Sequence, residues 1–325
     1  MAVRTTVIGL AISMPLITTL FIAMRIYTRR RIKRMKLDPD DYLAIASLVF
    51  SYILSTSVFL GGVGNHLEFD LAGQVQHPDY YQTFAKTIWV MDFILFPSLG
   101  LTKLSILCFY KKIFSISRRF SIFAWISIVL TIVWTLGFFF ANIFICVPIE
   151  TNWCLDLFQS NAGKCVDRVK LFWATGVTDI LTDLIILALP WPEIYGLHMS
   201  LSRKLQIAIV FMLGYFVVGA DVARLVLSLP AVQSRDYNYD YTYTRAPVIY
   251  WTLVENNVSL ICACLPTLRP LLVKLRILAQ TVNTPLSGSH PSIGSRPHLV
   301  HSNSSPADGR PPPRPIYIRS VSAAV

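Results

Sequence analysis

Hydrophobic positions in this chain come in long blocks separated by short polar breaks. A spanning helix needs about 20 mostly apolar residues. Seven blocks meet that length: Thr6–Thr28, Asp41–Gly62, Phe84–Tyr110, Phe120–Cys146, Val169–Tyr195, Leu205–Leu229 and Pro247–Val273. The third and fifth carry several polar residues but are long enough to span with tilt. The pattern predicts an all-α membrane protein with a seven-transmembrane helix bundle over residues 1–275. From about Gln280 the blocks stop. The run "TPLSGSHPSIGSRPHLVHSNSSPADGRPPPRP" is rich in Ser, Pro and His and has no helical period, so residues 276–325 are expected to be a disordered cytoplasmic tail.

Within four blocks, polar residues recur at helical spacing. Residues at i, i+3, i+4 and i+7 share one helix face. The last block places Thr252, Glu255, Asn256 and Ser259 on such a face, and the fifth Thr175, Thr178, Asp179, Thr182 and Asp183. Asp221, Arg224 and Ser228 line up in the sixth. Asp92 and Lys103 in the third are eleven residues apart, close to three full turns. Lipid does not solvate such stripes, so they are expected to face the bundle interior or a water-filled cavity. Asp92, Lys103, Asp179, Asp183, Asp221, Arg224, Glu255 and Asn256 are therefore the candidate cavity residues. Lys103 and Arg224 are read as the two deep cations, with Asp221 and Arg224 a candidate pair on one helix. Carboxylates outnumber cations here, an imbalance that a proton or a bound cation would relieve. Structural glue between helices is the competing reading for each single residue.

Composition changes the picture in one respect. The chain is 54% hydrophobic and 14% charged, with a formal net charge of +11; soluble domains carry about 25% charged residues. The basic residues lie beside apolar blocks. The 29–40 loop holds six Lys or Arg, the 111–119 loop four and the 196–204 loop two, against four in total on the alternate loops. By the positive-inside rule the N-terminus is outside and the C-terminus inside, which requires an odd number of spans. The positive charge marks topology and does not call for nucleic acid as a partner. The first block is read as an uncleaved span, because its positive cluster follows the apolar run, whereas in a signal peptide it precedes it.

Familiar chemistry is missing. All six histidines, His66, His77, His198, His290, His298 and His301, fall in loops or the tail, which argues against an intramembrane bis-histidine haem. There is no HExxH, GxSxG or P-loop pattern. No lysine lies between Pro247 and Val273, so a retinal Schiff base there is excluded. No cofactor or metal is expected, and the sequence assigns no reaction. Asp40–Asp41 reads as a helix start, where negative charge suits the dipole. Asn257-Val258-Ser259 matches a glycosylation sequon but lies inside a span. Cys146, Cys154 and Cys165 cluster in one external loop, where a disulfide is plausible. Three pairings exist, and Cys146–Cys165 is chosen.

Six segments in order carry a resemblance: "DDYLAIAS", "LTKLSILCFYKKIF", "CVPIETNW…GKC", "ATGVTDILTDLIILALP", "VARLVLSL" and "WTLVENNVSLICACLPTLRPLL". Together they resemble the fungal rhodopsin-type integral membrane domain family over about residues 10–275. That family includes surface-sensing receptor-like proteins and membrane proteins of mycotoxin biosynthetic clusters in filamentous ascomycetes. The resemblance falls on Asp41, Lys103, Tyr110, Cys146, Trp153, Cys165, Asp183, Pro190, Arg224, Glu255, Pro266 and Pro270. Asp179 departs from it, since Asn is expected there. The resemblance implies a multi-pass protein in the lipid bilayer, more readily of the plasma membrane than of internal membranes. It would sense a small or lipidic ligand and meet a cytoplasmic signalling partner. Ligand entry is expected from outside, near the Cys146–Cys165 loop and Tyr237, Tyr239, Tyr241 and Tyr243. An accessory membrane protein or enzyme of a secondary-metabolite cluster is the first alternative, and a transporter the second.

Overall fold

The structure is a computed structural model that describes residues 2–32, 34–60, 78–113, 118–153, 164–191, 212, 214–228 and 248–268. The chain divides into two compact units, Met1–Ala279 and Gln280–Val325. The second lies outside the described residues, as do Cys154, the Tyr237–Tyr243 run, Pro270 and the start of the sixth block.

The described residues of the first unit include the helices α1 Ala2–Tyr27, α2 Pro39–Leu60, α3 Pro78–Ile113, α4 Arg118–Ile143 and α5 Arg168–Ala188, then α6 over 214–228 and α7 Val248–Leu268. Among the described residues, six of these are long and apolar enough to cross a membrane, all but α6. Large apolar side chains such as Phe123, Trp125, Ile126, Val129 and Val133 on α4 are exposed, and a lipid bilayer is the solvent that such a surface requires. The chain is a helical, multi-pass membrane protein.

Local chemistry sets the helix ends. Pro39 opens α2, where its missing N–H would have no intrahelical partner anyway. Asp167 caps α5 by accepting from the backbone N–H of Val169 and Lys170, at 3.0 and 3.4 Å. The fourth block was expected to run to Cys146 and the fifth to Tyr195. Instead α4 stops at Ile143 because Cys146–Val147 pairs antiparallel with Lys164–Cys165, Cys146 opposite Cys165. The α5 helix stops at Ala188; Leu189 still donates to Ile185 O at 3.1 Å, and Pro190, which has no backbone N–H, cannot continue the ladder.

The α3 helix is central. Its 36 residues give it a length of about 54 Å, more than the hydrocarbon core of about 30 Å. It packs on α2, α4 and α5. Gly100 allows the approach of α4, because a Cβ there would run into the side chain of Thr135. Gly176 does the same between α5 and α6, where a Cβ would lie 2.6 Å from Leu225 Cδ1. One apolar cluster joins Val7, Leu54, Phe84, Met91, Ile249 and Leu253; another joins Leu107, Phe120, Ile128 and Ile186 toward the opposite end of α3.

Hydrogen bonds tie the helices where apolar packing alone gives no register. Asn257 Oδ1 accepts from Thr18 at 2.9 Å and from Ser51 at 3.0 Å, and its Nδ2 donates to Leu253 O at 2.9 Å. This one amide holds α1, α2 and α7 together, and its side chain is fully buried. Ser47 and Thr102 hydroxyls, 2.7 Å apart, join α2 to α3.

Candidate functional site

The polar stripes converge. On α5, Asp179, Thr182 and Asp183 occupy positions i, i+3 and i+4, so all three reach toward α3. Lys103 Nζ lies 2.7 Å from Asp179 Oδ1 and 2.7 Å from Asp183 Oδ1. It also donates to Thr182 Oγ1 at 2.8 Å and to the Asp179 carbonyl at 3.2 Å, and it stands 5.0 Å from the centre of the Trp134 ring. An ammonium has three donors, so these four acceptors saturate it. Burying an unpaired charge costs several kcal/mol; here carboxylates, a hydroxyl, a carbonyl and a ring face replace the lost hydration.

On α6, Arg224 pairs with Glu255 of α7 through Nε and Oε2, and its Nη2 lies 3.8 Å from Asp179 Oδ2. Glu255 thus has the cationic partner that its depth demands. The guanidinium spans the gap to α7 and α5, so Arg224 pairs off its own helix and not with Asp221 one turn away, which corrects the expected pairing. Oxygens of Asp179, Asp183 and Asp221 lie within 4.8 Å of one another. Asp179, Asp221, Arg224, Glu255 and Asn256 are all buried. Asp221 Oδ2 and both amide atoms of Asn256 find no hydrogen-bond partner among the described residues, while the carboxyls of Asp179 and Glu255 hydrogen-bond to each other. Such atoms are uncommon in a folded interior and call for an explanation.

Asp92 stands apart. It shares the Lys103 face of α3 but is exposed, three turns away, and its charge is felt at Arg224.

A cleft of about 70 Å³ opens beside the cluster between α3, α5, α6 and α7. That space holds several waters or a small organic group. Leu99, Ile106, Phe109, Ile186, Leu187 and Val217 form its wall, and Lys103, Asp183 and Ser259 add polar atoms. Asp183, with its side chain 15% exposed, is more accessible than Asp179 at 1%. The cleft uses residues 99–110 of α3, the half that leads to Lys112. The disulfide Cys146–Cys165 is at the opposite end, where Trp89 packs against Trp153 with ring centres 5.4 Å apart. The expected entry beside the disulfide is therefore not where this cleft lies; Tyr237–Tyr243 fall outside the described residues.

A second buried ion cluster has no counterpart in the sequence reading. Arg25 at the end of α1 donates to Asp41 Oδ1 at 2.8 Å, Asp40 Oδ2 at 2.6 Å and Ala263 O of α7 at 2.7 Å. Arg29 pairs with Asp38, Asp40 and Asp41, and Lys112 of α3 with Asp38. Arg25 and Arg29 are 1% and 4% exposed, so Lys103 and Arg224 are not the only deep cations. Asp40 and Asp41 are buried counterions as well as a helix start. The available signal was an arginine inside the first apolar block, 15 and 16 residues before two acids. Outside the spans, Lys112 beside Asp38 holds its carboxyl below the ordinary carboxylate range, helped by Arg29.

The fungal rhodopsin domain profile matches residues 24–274. The chain is 30% identical to the polyenoic acids biosynthesis gene cluster protein Ba17b of Metarhizium anisopliae, over 82% of this chain and 73% of that protein. It is 27% identical to the phomoidride biosynthesis cluster protein H of a fungal species, over 86% and 91%. It is 26% identical to the receptor GIN3 of Arthrobotrys oligospora, over 86% and 65%. No solved structure shows significant similarity to it. The chain belongs to the fungal rhodopsin domain family.

Proposed function

We propose that this fungal rhodopsin domain protein is a seven-span, receptor-like protein of the plasma membrane, with its N-terminus outside, that binds a small, largely apolar molecule in the cleft between α3, α5, α6 and α7. The single observation behind this reading is the cleft itself. An apolar wall meets a charged cluster, the combination of hydrophobic lining and few polar groups common to small-molecule sites. Occupation would press on Lys103 and Asp183, and through Asp179 on Arg224 and Glu255, so four helices would feel one ligand.

The test is retention of small molecules by the full chain in lipid nanodiscs after exposure to an organic extract of a fungal culture. Mass spectrometry should find a compound held by the wild type and lost from Val217→Trp, which fills the cleft without touching the charges. Identical retention by both proteins would overturn the reading.

A second reading is favoured by the relatives, two of which are named as biosynthesis cluster proteins. In it the chain serves a secondary-metabolite cluster as an accessory membrane protein or enzyme. A strain lacking the gene would then accumulate an intermediate that wild type clears and Glu255→Gln does not. A transporter would show flux of that compound across vesicles.

A further inference from the structure

We infer that the cleft selects for a cation: its ligand is a small apolar amine whose ammonium docks on Asp183 while its hydrocarbon lies along Ile106, Phe109, Leu187 and Val217. This inference rests on the cleft being the ligand site.

Charge decides the class. Four carboxyls, Asp179, Asp183, Asp221 and Glu255, face two cations, Lys103 and Arg224, within one connected cluster. The carboxyls of Asp183 and Asp221 are hydrogen-bonded to each other, as are those of Asp179 and Glu255, so each pair holds a proton that an incoming cation can displace, an exchange not open to an anion. Lys103 would be the anchor for an anion, but its three donors already meet four acceptors. An anion would have to break one of those bonds and would face the surplus acids. An ammonium on Asp183 takes the place of the proton between Asp183 and Asp221 and leaves the Lys103 contacts in place. Asp183 lines the cleft and is the cluster acid with surface to offer. Behind it, Asp221 Oδ2 is buried and lacks a hydrogen-bond partner among the described residues, and carboxylate oxygens of Asp183 and Asp221 lie within 4.8 Å of each other, so a donor held by Asp183 stands near an acceptor in need of one.

Protons compete with the ammonium for the same carboxyls, so amine binding weakens as pH falls. The charged and titratable groups facing Asp183 are Lys103 from α3, Asp179 on α5, Asp221 from α6 and, one side chain further, Arg224 and Glu255. Tyr110 and Cys262 line the cleft itself.

The test compares 2-phenylethylamine, 2-phenylethanol and phenylacetate, which differ mainly in charge, by equilibrium dialysis against the full chain in nanodiscs. The amine should bind at least about tenfold tighter than the alcohol, the range for a charge-assisted hydrogen bond over a neutral one, and phenylacetate weakest. Asp183→Asn should erase the amine preference and leave alcohol binding intact, and Val217→Trp should remove both. In wild type, which requires no variant to fold, the amine-to-alcohol ratio should fall as the pH is lowered from neutral. Amine and alcohol binding equally, both abolished by Val217→Trp, would overturn the charge selectivity and leave the cleft as a ligand site. A pH-independent ratio would overturn it too. Binding of none of the three, or binding indifferent to Val217→Trp, would overturn the cleft reading itself.

Discussion

Replacing Arg25 by Met tests the ion cluster that joins α1, α2 and α7. The substitution keeps a long apolar stem and removes three donated hydrogen bonds, to Asp40, Asp41 and the Ala263 carbonyl. Removing one partner of a buried ion pair costs about 3–5 kcal/mol. Arg29 still contacts both acids, so neither is left without a counterion and the loss should fall near the lower bound, about 3 kcal/mol. At about 2–4 °C per kcal/mol for chains of this size class, that is a drop of roughly 6–12 °C in Tm. The assay is thermal unfolding in nanodiscs, read by intrinsic tryptophan fluorescence. Arg30→Ala is the control, since Arg30 is exposed and should change Tm little. Because Ala263 also lines the cleft, Arg25→Met should loosen α7 there and weaken cleft binding as well. If Arg25→Met melts with Arg30→Ala and the wild type, the cluster does not hold these helices and the reasoning fails.

Asn257→Ala leaves the hydroxyls of Thr18 and Ser51 without their shared acceptor and should cost about 1–3 kcal/mol in the same melting assay. Gly100→Val forces α3 off Thr135 of α4; overpacking of this kind costs about 1–3 kcal/mol and should be read as a lower Tm with unchanged oligomeric size. Cys146→Ser opens a disulfide with a sequence separation of 19, worth about 3 kcal/mol on chain-entropy grounds; non-reducing peptide mapping should lose the linked fragment and Tm should fall. Asp38 has a lowered carboxyl pKa because of Lys112, so its contribution is present above the ordinary carboxylate value and is lost as pH falls through the lowered one. Lys112→Ala should move the Asp38 titration upward, measured by carboxyl-selective infrared difference spectra.

The membrane class was legible in the sequence because it depends on block length and charge depletion, which are local and additive. The depth of Lys103, Asp179, Asp183, Arg224 and Glu255 was legible for the same reason: helical spacing puts a polar residue on a face, and lipid forbids that face. The Cys146–Cys165 link could be chosen but not forced, since three cysteines in one loop admit three pairings and only the paired strands bring these two opposite each other. Partner choice was beyond the sequence. Arg224 reaches Glu255 on α7 and not Asp221 on its own helix, because interhelical gaps decide where a long side chain ends. Asn256 and Asn257 are neighbours of one residue type, yet Asn257 ties three helices and Asn256 is buried without a hydrogen-bond partner among the described residues; a 100° step around α7 separates those fates. Arg25 was overlooked because a cation at the end of an apolar block reads as a topology signal, until packing closes α2 and α7 over it. What the sequence determined by itself is which residues had to avoid lipid. Which of them meet, and the cleft they leave beside Asp183, was decided by tertiary structure, because pairing depends on distances between helices that no period along one helix encodes.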